Sequence, residues 1–241
     1  MMSVVLVTGG TRGLGLAIVQ RLSAEGYSIV ATGREISSEL SALIDSRDDQ
    51  VHFEGYDFND TANIKHFARH ISTTYGRPYG LVNNAAIGHD GILATMHESQ
   101  ISELIKINIE APALLTKYLL RPMLINASGR VVNISSIIAS TGFSGLAVYG
   151  ATKAAIEGFT KSLAREVGPA GITVNAICPG YMQTEMTDGL NDKALETIKR
   201  RSPLGKLVDV GDVAEGVAYL MSPAASMVTG TTLTIDAGST A

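Results

Sequence analysis

Short β-branched runs alternate along this chain with longer segments of helical periodicity, and this alternation constrains the fold more than any other feature. Several runs are continuously apolar, which is typical of strands that helices cover on both faces. We therefore expect an α/β fold, with a doubly wound, mostly parallel seven-stranded sheet in a single domain over 1–241. Strands are predicted at 4–7, 28–32, 51–56, 80–83, 130–134, 172–177 and 232–235, and helices at 14–25, 36–46, 61–75, 99–122, 150–167, 190–200 and 211–221.

Composition narrows the function classes. A chain of 241 residues can bury a large core without disulfides, and its one cysteine, Cys178, cannot form an internal disulfide. A net charge of −4 and 5% aromatic residues argue against a nucleic-acid groove, which needs basic patches and stacking rings. Apolar runs stay below the roughly 18 residues of a membrane span, and the first predicted strand leaves no room for a signal peptide. We expect a cytoplasmic protein without nucleic-acid or membrane partners.

A glycine-rich turn joins the first predicted strand to the first predicted helix. Glycines in such a turn let backbone N–H groups approach a pyrophosphate, and the helix N-terminus that follows favours the negative charge. The turn therefore predicts a dinucleotide site; the alternative is a tight βα turn without a ligand. The candidate cofactor residues are Gly9, Thr11, Arg12, Gly13, Leu14 and Gly15.

The end of the second predicted strand indicates which dinucleotide binds. An NAD-specific site usually has an acid here, bonded to the ribose 2′-hydroxyl, whereas this chain has Gly33 followed by Arg34. Two guanidinium groups, from Arg12 and Arg34, suit a 2′-phosphate that they can bind bidentately. We therefore predict NADP(H), although Glu35 follows directly and Arg34 could be an ordinary exposed loop residue.

A tyrosine and a lysine at i and i+4, Tyr149 and Lys153, share one helix face. An ammonium group stabilises a nearby phenolate and lowers the pKa of the tyrosine, so the pair can act as a general acid/base. Alone, this spacing is common on surface helices. Upstream, Ser135 and Ser136 end the fifth predicted strand, and only one of their hydroxyls can readily share a site with Tyr149.

Taken in order, the motifs are similar to those of the short-chain dehydrogenase/reductase family in its compact form. They are TGGTRGLG at 8–15, Asp57, NNAA at 83–86, Asn108, Ser136, the Tyr149/Lys153 pair, and Pro179-Gly180 with Thr184. The resemblance covers the whole chain and implies a Rossmann-like fold and an NADP-dependent oxidoreductase that acts on CH–OH or C=O groups. The family usually has glycine where this chain has Ala86, which would be strained at positive φ.

The resemblance also implies a role for each catalytic residue. Tyr149 would donate a proton to a carbonyl oxygen that Ser136 orients and polarises. Lys153 would lower the pKa of Tyr149 and bond the nicotinamide ribose, and Asn108 would hold a water that links Lys153 to solvent. Further cofactor contacts would come from the ends of the third, fourth and sixth strands, at Asp57, Phe58, Asn83, Asn84, Ala85, Ala86, Ile177, Pro179, Gly180, Met182 and Thr184.

Within the family, the chain resembles most the reductases of 3-oxoacyl thioesters. Acyl carrier proteins are acidic, yet Ala127 and Ala170 stand where docking arginines are expected, which leaves room for a coenzyme A thioester or another small ketone. The substrate lid is predicted at 181–206. The resemblance further implies a homo-oligomer, for which we expect a homotetramer, with a dimer as the alternative. A non-catalytic NADP-binding sensor or scaffold is the alternative from another class, and no metal site is expected, because His66 and His70 show no acidic or thiol partner in the sequence.

Overall fold

The computed structural model describes residues 2–47, 49–182 and 192–241, and within the helix 192–201 it describes side chains from Glu196 onward. One seven-stranded sheet has the order β3-β2-β1-β4-β5-β6-β7, and all neighbouring strands pair in parallel. This confirms the predicted α/β fold. The strands are β1 Val4–Thr8, β2 Ser28–Gly33, β3 Val51–Gly55, β4 Gly80–Asn83, β5 Gly129–Ile134, β6 Ile172–Pro179 and β7 Thr232–Ile235.

Helices cover both faces of the sheet because side chains alternate along each strand. Val5 and Val7 pack in the core layer that contains α1 and α9, whereas Leu6 packs in the layer that contains α3, α5 and α7. The helices are α1 Gly13–Ala24, α2 Ser38–Ser46, α3 Ile64–Thr74, α4 Glu98–Ile105, α5 Ala111–Asn126, α6 Ile138–Thr141, α7 Ala147–Val167, α8 Asp192–Arg201 and α9 Val210–Met221. No helix in the described ranges is long and apolar enough to cross a membrane.

The chain order positions the site. From β1 the chain builds outward through β2 and β3, and then crosses back to β4 on the other side of β1. The connections after β1 and β4 therefore diverge, and in open parallel sheets ligands bind in the crevice at the carboxyl ends of two such strands.

Two helix boundaries differ from the prediction in ways that matter for the site. The helix predicted at 99–122 is α4 and α5, joined by a π-helical turn at Lys106–Glu110. A π turn takes in one extra residue and hardly changes the apolar pattern, so periodicity could not show it. In addition, α7 begins at Ala147 rather than at 150, which places Tyr149 in its first turn.

Candidate active site

The first turn is fastened to the loop after β4. Thr8 Oγ1 accepts hydrogen bonds from the backbone N–H groups of Asn84 and Ala85, both at 2.9 Å. The side-chain amide of Asn84 donates to the carbonyl oxygens of Thr8 at 2.9 Å and Gly9 at 3.1 Å. The predicted cofactor residue Asn84 thus braces the glycine turn with its side chain, and the two loops that diverge at the crevice form one hydrogen-bonded unit.

The glycines of this turn let the backbone pack closely against itself. Gly9 and Gly13 have positive φ angles of 63° and 51°, which glycine adopts without strain. A Cβ at Gly15 would overlap the carbonyl oxygen of Gly9, and one at Gly33 would lie 2.8 Å from Thr11 Cγ2. No side chain caps the N-terminus of α1, and its first turn holds no acidic residue. The start of α1 therefore offers backbone N–H groups and a positive helix end, which fit a pyrophosphate.

The loop after β2 is tied to the same turn. Ser37 Oγ donates to the carbonyl oxygen of Thr11 at 2.5 Å and accepts from Leu40 N as the N-cap of α2. The side chains of Arg12 and Arg34 are exposed at the carboxyl ends of the adjacent strands β1 and β2. Ser37 was not among the predicted site residues, because the helix predicted at 36–46 placed it inside the helix rather than at its N-cap.

Two of the predicted cofactor residues, Asp57 and Phe58, follow β3. Asp57 is exposed and accepts from Asn59 N at 2.9 Å, whereas Phe58 is buried and its ring packs against Phe67. Among the described residues, positive φ at non-glycine positions occurs at Asp49, Ala127 and Ala237. Ala86 is therefore unstrained, and the glycine usual in the family is not needed for backbone geometry here.

The structure brings Ser136, Tyr149 and Lys153 together at the carboxyl end of β5. Lys153 Nζ lies 5.6 Å from the centre of the Tyr149 ring and donates to the carbonyl oxygen of Ile134 at 2.9 Å. Ser136 lies close enough to the Tyr149 hydroxyl to act on its pKa, and Ser136 Oγ accepts from Ile138 N at 3.3 Å. The two neighbouring serines separate as strand alternation requires, because the buried Ser135 bonds instead to Glu157 Oε1 at 2.8 Å and to the Lys153 carbonyl oxygen at 3.2 Å.

Burial dominates the protonation of both catalytic groups. It raises the pKa of Tyr149 to about 12, against the opposing hydrogen bond of Ser136, and it lowers the pKa of Lys153 to about 8. The resemblance implied a lowered pKa for Tyr149. The pKa is raised instead because desolvation of the phenolate exceeds its stabilisation by neighbouring groups. The spacing of residues along a helix does not show how deeply a side chain is buried, so the sequence could not predict this shift.

Asn108 lies in the π turn and is 2% exposed. Its amide bonds both backbone groups of Ile87, with Asn108 Oδ1 accepting from Ile87 N and Asn108 Nδ2 donating to Ile87 O, each at 2.9 Å. Asn108 Nδ2 also lies 3.2 Å from Thr152 Oγ1 on α7. Asn108 thus joins the loop after β4 to the helix that carries Tyr149 and Lys153. Functional sites are where such π turns are often found.

The end of β6 closes the other side of the crevice. Gly180 N donates to the carbonyl oxygen of Ile235 at 2.9 Å, and a Cβ at Gly180 would lie 2.7 Å from Asp236 Cα. Met182 forms an isolated bridge with Val208. Pro179 is buried at the end of the strand. Thr184 lies outside the described residues, as do 183–191 of the predicted lid.

The structure also shows what surrounds Cys178 and His70. Burial raises the pKa of Cys178 to about 12, so this buried residue is a neutral thiol. His70 Nε2 lies 2.9 Å from Glu54 Oε1, which corrects the prediction that the histidine pair has no acidic partner. Strand β3 brings this carboxylate to α3, a contact that local spacing could not reveal. The described parts of the chain hold no group of three or more potential metal ligands.

Comparisons with known proteins point in one direction. A family model described as enoyl-(acyl carrier protein) reductase matches residues 9–240. The 3-oxoacyl-[acyl-carrier-protein] reductases FabG of Vibrio cholerae and Escherichia coli K12 are each 36% identical to this chain, over 98% of it and 96% of their own length.

Solved structures agree with the relatives. A gluconate 5-dehydrogenase from Burkholderia cenocepacia J2315 in complex with NADP and tartrate has a TM-score of 0.94 at 26% identity, covering 99% of this chain and 95% of that one. ElxO with NADP bound has a TM-score of 0.92 at 31% identity, covering 99% of both chains.

Proposed function

Because this chain belongs to the short-chain dehydrogenase/reductase family, we propose that it reduces the ketone of a 3-oxoacyl thioester to a secondary alcohol with NADPH. The observation that carries the proposal is the Ser136–Tyr149 hydroxyl pair beside the buried Lys153. Relatives named as 3-oxoacyl-[acyl-carrier-protein] reductases support the substrate class, and neighbours with bound NADP support the cofactor. We place the reaction in the cytoplasm.

In this proposal the cofactor would lie along the crevice from the first turn to Lys153. Backbone N–H groups at the N-terminus of α1 would bind the pyrophosphate, and the absence of a side-chain cap or an acidic residue in the first turn of α1 supports this placement. Arg12 and Arg34 would bind the 2′-phosphate, and Gly180 and Met182 would close over the nicotinamide end. NADPH supplies the hydride when bound.

The residues of the chain handle the proton. The carbonyl oxygen of the substrate would accept hydrogen bonds from the hydroxyls of Ser136 and Tyr149, and Tyr149 would give its proton to that oxygen as the alcohol forms. The raised pKa of Tyr149 keeps the phenol protonated before reaction, and Lys153 stabilises the phenolate left afterwards. Asn108, which fixes Ile87 beside α7, would hold the water through which Lys153 regains contact with solvent.

The test is NADPH oxidation followed against a panel of carbonyl compounds. The panel holds acetoacetyl-coenzyme A, the matching acyl-carrier thioester, a small β-keto ester and the polyhydroxylated ketone 5-ketogluconate. We expect the highest kcat/KM with the thioesters. Because Ala127 and Ala170 provide no docking charge, we expect the carrier-bound and coenzyme A forms to differ little. A strong preference for the sugar ketone, or reduction of none of the four, would overturn the substrate assignment.

The cofactor assignment has its own test. Replacing Arg34 with Ser removes one of the two guanidiniums proposed for the 2′-phosphate, and should raise KM for NADPH about tenfold or more with little change for NADH. Arg77→Ser is the matched control, since Arg77 is also exposed but bonds Asn126 at a distant position. Equal use of NADH and NADPH by the unaltered protein would contradict the assignment.

We also propose a homotetramer. Exposed apolar side chains on α4 and α5 support an interface there, at Ile105, Leu124 and Ile125, and Met227 before β7 is 93% exposed. Light scattering at micromolar concentration is the test, and a monomer there would exclude the tetramer.

A further inference from the structure

We infer that Phe143 and Tyr181 form an apolar wall beside Tyr149 that binds the acyl chain of the substrate, and that Phe143 sets the preference for chain length. This inference rests on the proposed function and deepens it. The wall is defined here as these two aromatic side chains.

Tyr149 and Tyr181 pack against the same small apolar cluster, which consists of Ile137, Ile138 and Cys178. This cluster is separate from the two core layers of the sheet and lies at the carboxyl ends of β5 and β6. The side chains that pack next to Tyr149 are therefore mostly apolar, apart from the Cys178 thiol and the Tyr181 hydroxyl. A substrate whose ketone meets Tyr149 has an apolar neighbour on this side.

Phe143 extends this surface into solvent. Its ring centre lies 6.3 Å from that of Tyr181 at an interplanar angle of 67°, an edge-to-face contact between the loop before α7 and the segment after β6. Phe143 is nevertheless 55% exposed. A large aromatic side chain that is held on one edge and open on its face can bury that face against an apolar ligand.

The loop after β4 adds apolar surface at the same rim. Gly91 N donates to the carbonyl oxygen of Gly145 at 3.0 Å, which joins this loop to the one that carries Phe143. Ile92 and Leu93 follow directly and are 68% and 54% exposed. The loop after β4 and the loop before α7 thus both carry exposed apolar side chains close to the backbone hydrogen bond that joins them.

The chemistry of this surface selects one part of the substrate. The far arm of a thioester carries amides and a hydroxyl, which need hydrogen-bond partners, whereas the acyl tail beyond the ketone is hydrocarbon. Burying one methylene improves binding about fourfold, which corresponds to ~0.8 kcal/mol. A wall of this kind therefore raises kcat/KM with each added pair of tail carbons until the tail extends past Phe143.

The experiment compares chain-length series between variants. Values of kcat/KM are measured for 3-oxoacyl-coenzyme A thioesters from acetoacetyl to 3-oxodecanoyl, with the unaltered protein, Phe143→Ala and Phe143→Leu. We expect a rising series for the unaltered protein and a flattened one for Phe143→Ala. The loss in Phe143→Ala should be about tenfold for the longer chains and less than twofold for acetoacetyl. Phe143→Leu keeps apolar surface and should keep most of the slope.

Tyr219→Ala is the matched control, because Tyr219 is a 45% exposed aromatic residue near the end of α9, away from the catalytic residues. It should leave the series unchanged. An equal loss at every chain length, or an unchanged slope in Phe143→Ala, would overturn the inference. If kcat/KM of the unaltered protein did not rise with chain length, the inference would also be overturned. The proposed function would still stand in that case, provided that the protein reduces the thioesters. Failure to reduce any thioester would instead refute the proposed function.

Discussion

The two halves of the crevice are built in different ways. In the half formed by the loops after β1, β2 and β4, backbone and short polar side chains are bonded to one another, as when Asn84 holds Gly9 and Ser37 holds Thr11. In the half formed by the loops after β5 and β6, the exposed Phe143 and the half-buried Tyr181 contact each other edge to face. From this difference we infer that dinucleotide binding depends on backbone geometry, whereas substrate choice depends on a few side chains.

Tyr149 lies between the two halves of the crevice, so its substitution should lower turnover while cofactor binding is kept. Tyr149→Phe removes only the hydroxyl that donates the proton, and we expect kcat to fall about 10²- to 10⁴-fold. The dissociation constant for NADPH, measured by fluorescence titration, should change less than threefold, since the ring still packs on Ile138 and Cys178. Turnover close to that of the unaltered protein would show that Tyr149 is not the proton donor.

Gly15→Ala tests whether the cofactor half depends on the backbone. The new Cβ would overlap the Gly9 carbonyl oxygen and press on Asn84, so the turn must shift at a cost of about 1–3 kcal/mol. NADPH should bind about tenfold more weakly or worse. Gly168→Ala is the control, because that glycine has a φ of −54° and open space around it. If both variants bound NADPH equally well, the first turn would not be the pyrophosphate site.

Lys153→Met tests whether the Lys153 ammonium group, which lies between the two halves of the crevice, is buried in the folded chain. Below pH 8 both folded and unfolded chains carry the proton on Lys153, and the folded chain bears the cost of desolvating it. Between about pH 8 and 10.5 the folded chain has lost this proton while the unfolded chain keeps it, so the free energy of unfolding rises with pH.

Relative to Lys153→Met, the cofactor-free protein should therefore gain up to about 3 kcal/mol across this window, as measured by urea denaturation at a series of pH values. Tyr149 and Cys178 are present in both proteins, so their own titrations largely cancel in the difference. A difference that does not change with pH would show that the Lys153 ammonium remains solvated.

The smallest expected effect lies outside both halves. Ala127 ends α5 in the left-handed conformation with φ of 48° and ψ of 37°, which glycine adopts without strain. Ala127→Gly should raise the free energy of unfolding by about 0.5 kcal/mol, since relief of strain slightly exceeds the added entropy of the unfolded chain. Thermal unfolding measures the gain, and kcat/KM should not change. A loss of stability would mean that other contacts hold Ala127 in place.

The sequence was most informative where function requires a backbone conformation or a strict order. Strand–helix alternation predicted the sheet, and the glycine turn was placed where β1 meets α1. The spacing of Tyr149 and Lys153 put both on one face of α7, and strand alternation separated Ser135 from Ser136. These features follow from local geometry, which repeats along the chain.

Features that depend on distant partners or on depth could not be predicted in this way. The bonds of Asn108 to Ile87 arise only when the π turn meets the loop after β4. The pKa of Tyr149 depends on how deeply α7 packs against the sheet, and Glu54 reaches His70 from another element. Phe143 carried no signal because single exposed apolar residues are common on protein surfaces.

Because of the π turn at Lys106–Glu110, the number of residues in this segment, and not only their side-chain chemistry, is important for function. Loss of one codon in this turn would remove its extra residue and restore ordinary helical hydrogen bonding, so the residues of the turn, rather than the flanking helices, would change position around the helix axis. Asn108 would then point away from Ile87, although it would still be encoded. For this short segment, a gene should tolerate many substitutions better than a single in-frame deletion.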